Sequence, residues 1–208
     1  MPEVSLPYIL KAALMVVVFL FSVIVHEIAH GYVALLNGDP TARMLGRITL
    51  NPIPHIDLVG SILLPLLLML SPSGMIIGWA KPVPVNPLNF RNYRWGEFAV
   101  SAAGPVSNLA LAAIFSVLLR LGLGNPGLTQ LAYYGVSINI ILALFNLIPI
   151  PPLDGSHILA LVLPRELARL YSHLQPVGFF LILILFYTGI LGAILMPLYR
   201  QIALIMLG

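Results

Sequence analysis

Two histidines four residues apart, with a glutamate directly after the first, stand near the end of a long apolar run from Ala12 to Leu36: His26-Glu27-Ile28-Ala29-His30. A helix turns about 100° per residue, so this spacing puts both imidazoles on one face with Glu27 beside them. In an H-E-x-x-H pattern two neutral imidazoles bind Zn²⁺ at roughly 2.0–2.1 Å, and the glutamate stays off the metal as the base that deprotonates the attacking water. The setting makes the pattern sharper. A charged side chain at the centre of a membrane helix costs on the order of 2.5–3.5 kcal/mol on insertion scales, so three ionisable groups in one apolar run call for a function. The competing reading is a hydrogen-bonded trio inside a helix bundle, with no metal.

A hydrolytic zinc centre takes three protein ligands and keeps one position open. The chain has no cysteine, which removes thiolates and disulfides and leaves Glu3, Asp39, Asp57, Glu97, Asp154 and Glu166 as carboxylates for the third place. Asp154 is the first choice. Pro149, Pro151 and Pro152 end the helix before it and deliver it on a stiff segment, between Leu153 and Gly155 in apolar surroundings. Asp57, with His55 two residues earlier, is the rival. As an N-cap for a helix starting at Ser156, Asp154 would stand two positions early.

These residues need a membrane scaffold. The chain of 208 residues is 60% hydrophobic and only 8% charged, with a mean hydropathy of +1.01, whereas soluble domains run at about 25% charged. The expected fold class is an all-α polytopic membrane protein of one domain, residues 1–208, with four to five transmembrane helices. With roughly 20 apolar residues needed per span, the candidate runs are 12–36, 58–78, 98–120, 129–149 and 176–199. Pro105 would kink its span unless the helix begins near it, and Ala103 and Gly104 read as packing residues. Ten Lys and Arg against seven Asp and Glu give +3. Spread over several loops, they fit membrane orientation, and nucleic acid is not expected as a partner.

The run 58–78 holds Pro65 and a Ser71-Pro72-Ser73-Gly74 break, and 79–87 reads Trp-Ala-Lys-Pro-Val-Pro-Val-Asn-Pro, extended because each proline disfavours helix in the residue before it. As a short β segment, Pro82 and Pro84 remove donors from one edge, and Val83 and Val85 keep theirs on the other, open to a visiting chain. His26, His30 and Asp154 can share a metal only if the first span and the 129–148 span exit on one side. That requires 58–78 to dip in and return as a re-entrant hairpin. The same arrangement gathers Arg43, Arg47, Lys81, Arg91, Arg94, Arg165 and Arg169 on one side against Lys11, Arg120 and Arg200. By the positive-inside rule the crowded side is cytoplasmic, with the zinc site toward it in a multi-pass protein of the cell membrane.

The His26-Glu27-Ile28-Ala29-His30 run, Gly104-Pro105 opening another span, and Asn146-Leu147-Ile148-Pro149 followed by Leu153-Asp154-Gly155 together resemble the site-2 protease family of intramembrane zinc metalloproteases. The likeness covers nearly the whole chain and is nearest the short prokaryotic branch, without PDZ or nucleotide-sensing domains; a span that precedes the H-E-x-x-H helix in many members is missing. It implies one Zn²⁺ per chain on His26, His30 and Asp154, with Glu27 as catalytic base. Asn146 matches the asparagine that the family places near bound substrate, and 79–87 is similar to its membrane-associated strand region. The substrates implied are transmembrane proteins, such as single-span anti-sigma factors or leftover signal peptides. His55 and Asp57, close in sequence, line the site, donate to the oxyanion, or form an interfacial hydrogen-bonded turn. A membrane metal or proton transporter would carry ionisable groups in several spans and an internal repeat, and neither is found. A catalytically inactive scaffold would have no use for Glu27.

Overall fold

The computed structural model describes residues 6–63, 80–122 and 124–208, and among these the chain is helical, with no strand. Apolar length builds four helices able to cross a membrane: α1 (Leu6–Leu36), α3 (Tyr93–Arg120), α4 (Pro126–Asn146) and α8 (Ile190–Leu207). Even α8, with 18 residues, reaches about 27 Å at 1.5 Å per residue, close to the hydrocarbon thickness of roughly 30 Å. Between them lie α2 (Thr41–Met44), α5 (Asp154–Val162), α6 (Arg165–Ser172) and α7 (Gly178–Tyr187).

Asparagines start two of the long helices. Asn92 Oδ1 accepts the Trp95 N–H at 3.1 Å ahead of α3, and Asn125 Oδ1 accepts the N–H groups of Gly127 and Leu128 ahead of α4, where Pro126 takes the first helical position. Helix α3 is the hub, packing on α1, α4, α5 and α8. Ala112 and Phe115 of α3 meet Val136 and Ile140 of α4 and Ala203 of α8 in one apolar cluster, while Val100 joins Phe90 and Ala34 of α1 in another.

The ends of these helices fix the connectivity across the bundle. The Arg91 N–H donates to Asn37 O at 2.9 Å, so α3 starts at the face where α1 stops. At the other end, Ser116 Oγ donates to Met206 O and Arg120 donates to Ile205 O, which ties the close of α3 to the close of α8. Helix α4 therefore returns to the α1 exit face and releases the chain there toward Asp154.

Several expectations change. The run 176–199 is not one span: α7 ends at Tyr187, Gly189 adopts φ +75°, and α8 begins at Ile190. Glycine carries that left-handed turn without a Cβ penalty, and the Gly189 N–H closes it onto Phe186 O. Pro105 sits well inside α3 instead of near its start, withholding the N–H that Ser101 O would take. Of the run 58–78, residues Leu58–Leu63 form a π-helical turn, and 64–78 lie outside the described residues. Residue 79 does too, and 80–86 form no strand. Their backbone bonds go to side chains and a turn, not to a ladder: Val83 N–H to Glu27, Asn86 N–H to Asp39 and Lys81 N–H to His55 O.

Candidate metal centre

Helix α1 carries His26 and His30 to its inner face, where their Nε2 atoms lie 3.0 Å apart. Asp154, the first residue of α5, brings Oδ2 to 3.3 Å from one and 3.4 Å from the other. Both imidazoles are buried, and Asp154 Oδ2 is buried with no hydrogen-bond donor of its own. Asp154 does not cap its helix. The approach of α5 depends on Gly155, where a Cβ would stand 2.2 Å from Leu147 O.

The far nitrogens decide what this trio is. His30 Nδ1 lies 2.7 Å from Val100 O, a carbonyl that can only accept, so the proton is on Nδ1. His26 Nδ1 donates in the same way to Asn108 Oδ1 at 2.7 Å. In its neutral form each ring, protonated at Nδ1, carries its lone pair on Nε2, and the two Nε2 atoms converge with each other and with a carboxylate oxygen. Three electron-rich atoms in a buried site repel one another unless a proton or a metal ion stands among them. His26, His30 and Asp154 form the one group of metal-capable side chains found among the described residues. Two nitrogens and one oxygen are a donor set suited to Zn²⁺.

Helix α3 closes the site with Gly104 laid against both rings. A Cβ there would fall 2.4 Å from His30 Nε2 and 2.5 Å from His26 Nε2, so the residue expected to serve packing between helices also keeps the coordination space open. Glu27 lies outside the trio. Its Oε2 accepts the Val83 N–H at 2.7 Å, so the Val83 donor expected on an open edge is engaged within the chain. Val85 packs its side chain toward Ala34, Phe90 and Val100.

The segment bearing Val83 is pinned by polar residues at the exit face. Lys81 N–H donates to His55 O at 2.9 Å and Arg47 donates to Lys81 O at 2.7 Å. Asp39 accepts from Asn86 N–H and Asn89 Nδ2, each at 2.7 Å, and from Thr41. Burial pushes the Asp39 carboxyl up, but these hydrogen bonds outweigh it and hold the group below its ordinary range. His55 is buried and gives Nε2–H to Thr49 O, within its own loop. Asp57, the rival ligand, accepts the N–H groups of Val59 and Gly60 and opens the Leu58–Leu63 turn. Asn146 donates to Leu142 O, back along α4. His157 of α5 pairs with Glu97 of α3 at 3.0 Å, and that partner raises its pKa although burial works against it.

His26, His30 and Asp154 thus meet, while the side-chain hydrogen bonds of His55 and Asn146 go to Thr49 O and Leu142 O. Sequence reasoning did not assign Asn108, Asn139 or Asp39 to the site. The first two were visible as amides inside apolar runs, a placement that by itself calls for partners.

The fold and the site define a multi-span helical protein with a buried two-histidine, one-aspartate centre and a glutamate beside it. Residues 122–185 match the profile of peptidase family M50. Relatives that carry the name "Putative zinc metalloprotease" include YwhC of Bacillus subtilis, 39% identical over 193 residues that cover 88% of this chain and 84% of that one, and Rip2 of Mycolicibacterium smegmatis, 28% identical with 90% and 71% covered. No solved structure gives a significant match. The chain belongs to peptidase family M50, the site-2 proteases.

Proposed function

We propose that this protein is an intramembrane zinc metalloprotease that hydrolyses peptide bonds in or next to transmembrane segments of membrane proteins. The observation that carries this reading is the convergence of two lone-pair imidazole nitrogens and an unpartnered carboxylate oxygen beside a glutamate. His26, His30 and Asp154 hold one Zn²⁺, which matches the zinc in the relatives' names. When bound, the metal supplies Lewis-acid polarisation of the scissile carbonyl and of water.

The rest is done by the chain. Glu27 takes a proton from the attacking water and hands it to the leaving amine as the C–N bond breaks. The Val83 N–H on Oε2 orients that carboxylate and leaves its other oxygen for the proton. Asn108 and Val100 O keep the imidazoles in the tautomer whose Nε2 faces the metal. A helical substrate hides its peptide bonds in its own hydrogen bonds and must unwind before attack. The extended segment through Val83 and Val85 is the proposed place for the unwound strand, with Asn146 and His55 as flanking contacts; the Val83 N–H stays on Glu27, and pairing uses the other backbone groups of the segment.

The cell membrane is the proposed location, with the centre on the cytoplasmic side. The Asn37–Arg91 contact supports this, because it returns the chain to one face between α1 and α3 and favours a re-entrant path for 58–78. Seven of ten basic residues then share that face. The test is zinc content together with cleavage of a panel of single-span substrates in detergent. Glu27→Gln is expected to keep about one zinc and lose cleavage, and Asp154→Ala to lose both. Zinc binding with unchanged cleavage in Glu27→Gln overturns the protease reading, and zinc retained in Asp154→Ala moves the third ligand elsewhere.

A further inference from the structure

Behind His26 runs a chain of hydrogen bonds through three helices. His26 Nδ1–H donates to Asn108 Oδ1 of α3 at 2.7 Å. Asn108 Nδ2 donates to Asn139 Oδ1 of α4 at 2.9 Å and reaches Ser22 O of α1 at 3.4 Å. Asn139 Nδ2 donates to Gly135 O and to Ser22 Oγ, both at 2.8 Å, and the Ser22 hydroxyl donates to Val18 O at 2.8 Å. Ser22, Asn108 and Asn139 are fully buried.

The direction of this chain is fixed at its far end. Gly135 O and Val18 O are backbone carbonyls, so the atoms facing them must be donors. With Nδ2 of Asn139 turned to Gly135 O, its Oδ1 has to face Asn108. Asn108 must then present Nδ2 to Asn139, and its Oδ1 is left for His26. An Asn108 amide turned the other way would aim a donor at His26 Nδ1, move the ring proton to Nε2, and remove the lone pair that a metal needs.

We infer that Asn139, about two hydrogen bonds from the metal position and touching neither metal nor substrate, is a positioning residue that sets the tautomer of His26 through Asn108. The inference rests on the zinc reading of the site only for its metal readout. Outer partners of metal-bound histidines are worth about 10–100-fold in metal affinity, so Asn139→Leu, alike in branching and unable to orient Asn108, is expected to weaken zinc binding by that factor.

The discriminating variant is the double substitution Asn108→Asp with Asn139→Leu. A carboxylate offers an acceptor to His26 in either orientation and needs no orienting partner, so the double variant is expected to recover zinc affinity to within a few-fold of the unaltered chain. A merely structural Asn139 predicts the reverse, because a buried carboxylate adds a second injury to the first.

The experiment uses the full chain in detergent, with zinc affinity from chelator competition and the His26 tautomer from imidazole ¹⁵N shifts in metal-free protein. The expected results are an Nδ1–H ring in the unaltered chain, a mixed population with weakened zinc in Asn139→Leu, and restoration of both in the double variant. An unchanged tautomer and unchanged affinity in Asn139→Leu overturn the relay, as does a double variant worse than the single. If Asn139→Leu does not fold, Asn139→Ala, which removes the orienting amide without adding bulk, must show the loss in the same direction, and no loss overturns the relay. An Nδ1–H ring that binds no zinc sinks the metal reading while the relay stands.

Discussion

The two kinds of residue in the His26-Glu27-Ile28-Ala29-His30 motif are held in opposite ways. The imidazoles are gripped from inside the bundle, by Asn108 and Val100 O of α3 and by Asn139 of α4 behind them, all of these helices packed on apolar faces. Glu27 is gripped from outside it, by one backbone N–H on the extended segment that begins the return to α3. That segment is fastened by Arg47, His55 and Asp39 at the exit face. In the proposed mechanism, metal binding and proton transfer therefore depend on different parts of the molecule, and each can be damaged alone.

The strongest test of that separation is Gly104→Ala on the bundle side. The added Cβ falls 2.4 Å from His30 Nε2 and 2.4 Å from His26 Cε1, inside the space the metal requires. Zinc content is expected to drop from about one per chain toward none, with an overpacking cost of about 1–3 kcal/mol in the thermal unfolding of the metal-free chain. Full zinc content in Gly104→Ala would mean that α3 does not close the centre as described. On the outer side, Val83→Pro deletes the N–H that orients Glu27. Cleavage is expected to fall by about 10²-fold, the scale of a misplaced catalytic group, while zinc content stays unchanged. Joint loss of zinc and cleavage there would erase the distinction between the two halves.

Asp39 offers a gentler way to loosen the outer half. Its carboxylate receives two donors from Thr41, one from Asn86 and one from Asn89, so Asp39→Ala leaves several polar groups without a partner at a cost of about 1–3 kcal/mol. Cleavage is expected to fall less than in Val83→Pro, because Lys81 remains anchored by Arg47 and His55. The pH dependence follows from the sign of the shift. Asp39 is held below its ordinary value of 3.8 in the folded chain, so its stabilisation is complete above that value and is lost as pH falls through the lowered one. The gap in melting temperature between the unaltered chain and Asp39→Ala is expected to shrink in that acid range. A gap that does not change with pH would assign Asp39 a packing role.

The meeting of His26, His30 and Asp154 was legible in sequence because coordination restricts residue types and spacing. Only certain side chains bind zinc, only certain offsets share a helix face, and three prolines before Asp154 announce a stiff delivery. What surrounds the ligands was not legible. Asn108 and Asn139 are amides inside apolar runs, and their partnership depends on which faces of α3 and α4 meet. Gly104 read as a packing residue, and its closeness to the imidazoles appears only once α3 crosses α1. Val83 was expected to keep its donor free, because alternation along an extended segment says which groups share an edge and not which edge turns inward. The break between α7 and α8 hides in Thr188-Gly189 within an unbroken apolar stretch, where one φ of +75° decides it.

The smallest effect concerns how α5, and with it Asp154, is attached to α3. His157 gives its Nδ1–H to Glu97 at 3.0 Å, and this partner lifts the His157 pKa above 6.5 against the opposing influence of burial. A group whose folded pKa is raised stabilises the fold fully below its unfolded value and loses that contribution as pH climbs through the folded one. Since the side chain of His157 is 45% exposed, solvent screens the pair, and His157→Ala is expected to cost about 0.2–1 kcal/mol at pH 6. Well above the raised pKa the difference should fade. If it does, the carboxylate ligand hangs on a screened ion pair while the imidazoles are locked in the bundle, and mild alkali loosens the metal first at Asp154. If the difference persists at alkaline pH, packing holds α5, and Asp154 belongs with the histidines on the rigid side of the centre.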